Sequence, residues 1–130
     1  MSQENVDRLR AVYAEWADGN FRAGGDLLAE DVVFELMADG HAPYVGREAV
    51  EQQMREFLAQ WKEYRVEAQE MEEVGETVIV SERQHGIGKS SGVEAEMTCV
   101  ATWTFRAGLV ERIRWDPDRA TALEASRLSE

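Results

Sequence analysis

The stretch LLAEDVVFELMADGHAPYVGREAV, Leu27 to Val50, limits what this chain can fold into more than any other. It ends an apolar helix at Leu27 and Leu28, turns on Glu30 and Asp31, and enters a strand in which Val32, Phe34 and Leu36 alternate. It then loops through Gly40 and Pro43 and starts a new helix just after Gly46. A lone short strand leaves its backbone groups unpaired, so it needs partners, and these come only after residue 64. Helices are thus set around a sheet that is built later in the chain, which predicts a cone with an open mouth.

Helical periodicity flanks this stretch. From about Gln3 to Asp18, Val6, Leu9, Tyr13 and Trp16 fall on one face with Val12 beside them, while Asp7, Arg8, Arg10 and Glu15 face away. Ser2 is the candidate N-cap and Gly19-Asn20 ends the helix. A short second helix is expected from about Phe21 to Ala29, with Gly24-Gly25 lowering its propensity. A third is expected from about Arg47 to Lys62, with Val50, Met54, Phe57, Leu58 and Trp61 as its apolar stripe.

The period then switches to alternation. Strands are predicted over about Glu63–Val74, Thr77–Gly88, Val93–Arg106 and Leu109–Trp115. Val74-Gly75-Glu76 and Ala107-Gly108 read as tight turns, and GIGKSSG (residues 86–92) as a looser hairpin loop. In the third of these strands Ala95, Met97, Cys99, Ala101, Trp103 and Phe105 share one face, with only Val100 out of pattern on the other. A final helix should follow Asp116-Pro117, with Leu123 and Leu128 as weak anchors. The class is α+β: a cone-shaped, curved antiparallel sheet with three N-terminal helices packed on its concave face. Residues 1–130 form one domain.

Composition narrows the function. Apolar residues make up 44% and charged residues 31% of the 130, a globular balance. A net charge of −12 repels phosphate backbones, and the sequence holds no basic cluster, so no nucleic-acid partner is expected. Cys99 is the one cysteine, which fits a reducing compartment. The first ten residues carry no apolar run of signal type, and no stretch approaches the ~20 apolar residues of a membrane span, so a cytoplasmic protein without membrane partners is expected. G-x-S-x-G, P-loop, dinucleotide and H-E-x-x-H patterns are missing, and His41 and His85 are the only histidines. Neither a metal site nor a cofactor is therefore expected. The remaining chemistry is acid–base work by side chains that point into the cone.

Candidate groups follow from that. Arg83 and His85 share a face with Ile79 and Ser81; if it lines the cone, a guanidinium and an imidazole enter an apolar cavity. In the opposite assignment Val78 and Val80 mark the inner face, and Arg83 pairs with a surface Glu. Asp116 beside Trp115 is either a carboxylate at the mouth or the N-cap of the last helix. Tyr13 can donate to a developing oxyanion. Asp39 and His41 read as solvated loop residues. Trp16, Phe34, Leu36, Tyr44, Phe57, Trp61, Met97, Trp103 and Trp115 are candidates to shape a pocket for a small hydrophobic molecule, or else plain core.

The layout resembles the nuclear transport factor 2-like superfamily, and within it the SnoaL-like group. The resemblance is carried by WADGNFRAGGDLLAEDVVFE, YVGREAV, VIVSER and FRAGLVERIRWD, and it spans nearly the whole chain. Such a scaffold hosts isomerases, cyclases, epoxide hydrolases and non-catalytic binding modules. Tyr13 is similar to the oxygen-donating Tyr of ketosteroid isomerases, whereas Leu36 and Ala101 stand where that group carries acids. Against epoxide hydrolases of the limonene type, Arg83 matches the Arg of the middle strand. There His85 replaces an Asp, Asp116 comes one residue late at Trp115, and Phe34 and Leu36 replace the water-holding Tyr and Asn. His85 with Asp116 is similar in kind to the His and Asp of SnoaL-type polyketide cyclases. The resemblance implies cofactor-free acid–base chemistry on a hydrophobic carbonyl compound, with Asp116, His85, Arg83 and Tyr13 as the catalytic set. The alternative is a non-catalytic ligand-binding or dimerisation module, and less readily an epoxide hydrolase. The resemblance also implies a homodimer through the outer sheet face, where Val78, Val80 and Val100 are expected.

Overall fold

The computed structural model describes residues 2–36 and 42–128. The expected loop residues Asp39, Gly40 and His41 lie outside them. Helix α1 (Ser2–Ala17) buries Val6, Leu9, Val12, Tyr13 and Trp16, the face its periodicity marks. Ser2 is its first helical residue rather than a residue ahead of it.

The expected helix over residues 21–29 does not form. Those residues make turns and a single 3-10 turn at Gly25–Leu27, and strand β1 (Leu28–Leu36) begins at once. Gly24 decides this with φ +94°, a left-handed conformation outside any right-handed helix, and a Cβ there would crowd Val12 at 3.1 Å. A two-residue strand β2 (Tyr44–Val45) leads into α2 (Arg47–Ala59). Then come β3 (Trp61–Val74), β4 (Thr77–Gly88), β5 (Glu94–Arg106) and β6 (Leu109–Asp116), followed by α3 (Arg119–Leu128). Trp61 opens β3 instead of closing the helix before it.

The strands form a six-stranded sheet in the order β2-β1-β6-β5-β4-β3. The pairs β3/β4, β4/β5 and β5/β6 are antiparallel as expected, but β1 runs parallel to β6, which a purely antiparallel reading missed. The first strand enters the sheet beside the last, with Phe34 opposite Ile113 and Leu36 opposite Trp115.

The concave face carries the main core. Val78, Val80, Ala101, Trp103, Phe105, Val110, Ile113, Val32 and Phe34 pack there with the apolar face of α1. Burying one such aliphatic or aromatic side chain contributes roughly 1.5–3 kcal/mol, so this layer is the main source of stability. Val78 and Val80 are fully buried in it and do not form the outer patch expected of them. Their register shows why: Val78 faces Trp103 and Val80 faces Ala101 across the β4/β5 pair. The convex face has a smaller cluster, in which Ala122 of α3 covers Ile79 and Val100, with Val74 and Leu123 alongside. That cover accounts for the one apolar residue out of pattern on β5. Among the described residues, no helix is long and apolar enough to cross a membrane.

Candidate functional site

Exposure along the concave face changes in one direction. On β5, Phe105, Trp103 and Ala101 are buried under α1, Cys99 is half-buried, and Met97 is 42% exposed. On β1 and β6, buried Phe34 and Ile113 give way to half-buried Leu36 and Trp115. The closed end is packed, and the other end leaves inward-facing side chains uncovered. Apolar groups left uncovered on a concave surface form a receptacle for another apolar molecule.

Aromatic rings pack against one another between the packed part and this end. Phe34 meets Trp115 edge-on at 5.5 Å between centroids and lies over Tyr44 at 6.2 Å. Phe57 of α2 meets Tyr64 at 5.1 Å and Trp61 and Trp115 each at 6.1 Å. Gly86 makes room for Trp61, because a Cβ there would lie 2.5 Å from the indole Cε3. A recess of about 710 Å³ opens between residues 19–25 and α2, with Trp16, Phe21, Met54, Leu58 and Trp103 among its walls.

Where the packed and open ends meet sits a buried carboxyl. Glu82 of β4 is 1% exposed and faces Cys99 across the β4/β5 pair. The Tyr13 hydroxyl donates to its Oε2. Gln84 Nε2 donates to its Oε1 at 3.0 Å and to Cys99 Sγ at 3.1 Å, and the Cys99 thiol reaches the same Oε1 at 3.4 Å. Trp103 Nε1 in turn donates to the Tyr13 oxygen at 3.1 Å. Alternation places Glu82 and Gln84 on the inner face with Val78 and Val80.

Burial dominates the electrostatics. Loss of water pushes the Glu82 carboxyl above the usual carboxylate range, against the hydrogen bonds from Tyr13, Gln84 and Cys99, which pull it down. The Tyr13 phenol is raised by burial first and then by the neighbouring Glu82 charge. Tyr64 and Cys99 are raised for the same two reasons in the same order. The phenols and the thiol are therefore proton donors, and Glu82 is the group whose proton is in play.

The expected catalytic groups divide by face. Tyr13 is at the site. Arg83, His85 and Asp116 occupy the convex side, a correction to their expected convergence in the cone. Arg83 pairs with Glu96, and His85 Nε2 lies 2.8 Å from Glu94 Oε1. Both are an odd number of residues from Glu82, so the pleat turns them outward. Asp116 faces Val100 on that outer side, fully buried, and binds Arg114 Nε at 2.9 Å. It does not cap α3 either; Asp118 does, accepting from Thr121 N at 2.8 Å, and those hydrogen bonds hold its carboxyl below the usual range.

The expected pocket-shaping residues all belong to the concave layer. Trp16, Phe34 and Trp103 are in its packed part, Leu36, Tyr44 and Trp115 border it, Phe57 and Trp61 join through ring contacts, and Met97 lies toward the open end. Glu82, Gln84, Tyr64 and Cys99 were missed as site residues. The available signal was register: Cys99 falls on the unbroken apolar face of β5, and its partner across the hairpin shares that face. The seven-residue loop 86–92 concealed the register. Among the described residues, no three His, Cys, Asp or Glu side chains converge as a metal-binding set.

A family model described as a SnoaL-like domain matches residues 9–113. The chain belongs to the SnoaL-like domain family. Solved structures agree on the fold of this SnoaL-like protein. An NTF2-like protein of unknown function from Burkholderia pseudomallei is 21% identical, with a TM-score of 0.77, covering 92% of this chain and 95% of that one. A candidate SnoaL-like polyketide cyclase from a Jannaschia species is 17% identical, with a TM-score of 0.79, covering 95% and 92%. TerC, co-crystallised with polyporic acid, is 20% identical, with a TM-score of 0.70, covering 92% and 95%. At such identities the likeness establishes the fold alone. No curated protein matches the sequence.

Proposed function

We propose that this SnoaL-like protein binds a hydrophobic carbonyl compound against its concave face and moves protons on it without a cofactor, Glu82 and Tyr13 forming the acid–base pair. The carrying observation is the Glu82 carboxyl, 1% exposed and, among the described residues, hydrogen-bonded only to the neutral side chains of Tyr13, Gln84 and Cys99. Burial moves it toward the working pH, where a carboxyl serves both as base and as acid. Its neighbours suit either state. All of them donate to the ionised form, and in the neutral form the Cys99 sulfur or a turned Gln84 amide accepts instead.

The chemistry follows from those roles. Ionised Glu82 takes the proton alpha to the substrate carbonyl. The C–H electron pair becomes the enolate double bond, and the carbonyl electrons move onto oxygen, to which the Tyr13 O–H turns once Glu82 is neutral. Neutral Glu82 returns its proton to another carbon in an isomerisation. In a ring closure the enolate carbon attacks a second carbonyl carbon of the same molecule, and the proton goes to the new alkoxide. Trp103 holds the Tyr13 oxygen in place. The cyclase description of the Jannaschia relative and the ligand of TerC support this class.

A second reading, binding without catalysis, rests on Leu36 and Ala101, which are apolar where ketosteroid isomerases carry acids. One experiment separates the two. Deuterium exchange at the alpha carbon of 1-tetralone, followed by proton NMR in D2O, should run at least ~100-fold faster with the protein than in buffer. Glu82→Gln should return it to the buffer rate while still quenching tryptophan fluorescence on binding. Buffer-rate exchange by a wild-type protein that binds the ketone would leave binding alone.

A further inference from the structure

The recess of about 710 Å³ between residues 19–25 and α2 stands apart from the Glu82 cluster, since neither Glu82 nor Tyr13 is among its walls. Its depth is apolar. Trp16, Phe21 and Trp103 form a chain of rings, with Trp16 lying 6.5 Å from Phe21 and 6.0 Å from Trp103 between centroids. Met54 and Leu58, one turn apart on α2, make the helix wall. Trp16 Nε1 donates to the Ala23 carbonyl at 3.0 Å, which ties the loop to α1 and builds the recess into the fold. Its volume falls in the range of small-molecule sites, roughly 300–1,000 Å³. Rings tilted against one another offer faces and edges on which a flat ring packs.

The mouth is charged. Arg22 of the loop and Arg55 of α2 both line the recess and are exposed, which places them at its rim. Among the described residues neither has a carboxylate partner. Arg55 Nη2 donates to the neutral Gln52 amide oxygen at 2.7 Å, and the Arg22 guanidinium makes no side-chain bond. Elsewhere on this acidic chain Arg83, Arg106, Arg112, Arg114 and Arg119 each pair with an Asp or Glu. Glu51 also lines the recess, its Oε2 3.1 Å from where a Cβ of Gly25 would stand, and it pairs with neither arginine. Two guanidiniums against one carboxylate leave the mouth positive on a chain of net charge −12. Unpaired guanidiniums above an apolar floor match a ligand that is anionic at one end and apolar at the other.

We infer that this recess binds an aromatic carboxylic acid, its ring system packed among Trp16, Phe21 and Trp103 and its carboxylate held at the mouth by Arg22 and Arg55. The inference does not rest on proton transfer by Glu82, which lies outside the recess.

The test is calorimetric titration with 2-naphthoic acid and 2-naphthalenemethanol, which share a ring system and differ in a carboxylate against a neutral hydroxymethyl group. At about pH 7 and low salt, the wild type should bind the acid at least ~10-fold more tightly than the alcohol. Arg22→Gln and Arg55→Gln should each cut that preference about 3-fold and together about 10-fold, with the alcohol's affinity kept within about 2-fold. Both side chains are exposed, so the variants should fold. Arg10→Gln is the control. Arg10 is exposed too, but it lines a separate recess between α1 and β3 with Glu67 and Glu70, and its loss should leave the preference unchanged. Equal wild-type affinities for acid and alcohol would make this a site for neutral ligands and overturn the inference. A loss in Arg10→Gln as large as in Arg22→Gln would overturn it as well, by showing attraction to the whole surface. So would a wild type that binds no acid.

Discussion

Glu82 is a carboxyl that folding desolvates, and this gives its titration a consequence for stability. Its folded pKa is raised above the unfolded value of about 4.3. Between those two pH values the folded protein holds a proton that the unfolded chain has released. Stability from this group is therefore fully present below about pH 4.3 and falls as pH rises through the folded pKa, with no further change above it. Urea unfolding between pH 4.5 and 8 should show Glu82→Gln with a shallower decline than wild type, because an amide has no proton to release in that range. Parallel declines in the two proteins would mean that Glu82 is solvated or matched by a cation. The same residue marks how far the site could be read beforehand. Tyr13 is legible because a phenol on the apolar face of a helix must find a partner. The partner itself was hidden by the mixed polarity of residues 78–85.

That mixture has a cause at the level of the elements. β4 is apolar on both sides because α3 covers part of the convex face through Ala122, Ile79 and Val100. Alternation alone then cannot say which side is in. β5 has one cleanly apolar face, and its orientation was readable for that reason. Residues 21–29 contain enough apolar side chains for a helical turn, and the backbone of Gly24 overrules them. The parallel pairing of β1 with β6 has no local signal, since it joins segments far apart in sequence, residues 28–36 and 109–116. The α3 cover makes its own prediction. Ala122 is 1% exposed, so Ala122→Glu buries a charge against Ile79 and Val100. It should lower unfolding free energy by roughly 2 kcal/mol or more in denaturant titration. Near-UV circular dichroism from the concave-side aromatics should stay native in the folded fraction. A change below about 0.5 kcal/mol would show that α3 is not held on the sheet.

Across the whole molecule, charge and topology set the behaviour. The chain carries a net charge of −12, and self-repulsion of that kind is screened by salt. Thermal midpoints should rise as sodium chloride goes from about 10 to 300 mM, a range over which the screening length falls several-fold. A fall would mean that surface ion pairs such as Arg83–Glu96 and Arg119–Glu72 outweigh the repulsion. These pairs also change what a homodimer would need. With Val78 and Val80 inside and Val100 under α3, association through the outer sheet would have to match charges rather than join apolar patches. The sheet order has a different consequence, in the time course of folding. β3 to β6 are linked by consecutive hairpins and can assemble as each turn closes, whereas β1 has only the two-residue β2 to pair with until β6 is made. Its closing step spans most of the chain and is the slow one on loop-entropy grounds. During synthesis the aromatic wall of β1, with Phe34 and Leu36, has only the two-residue β2 beside it until β6 has left the ribosome.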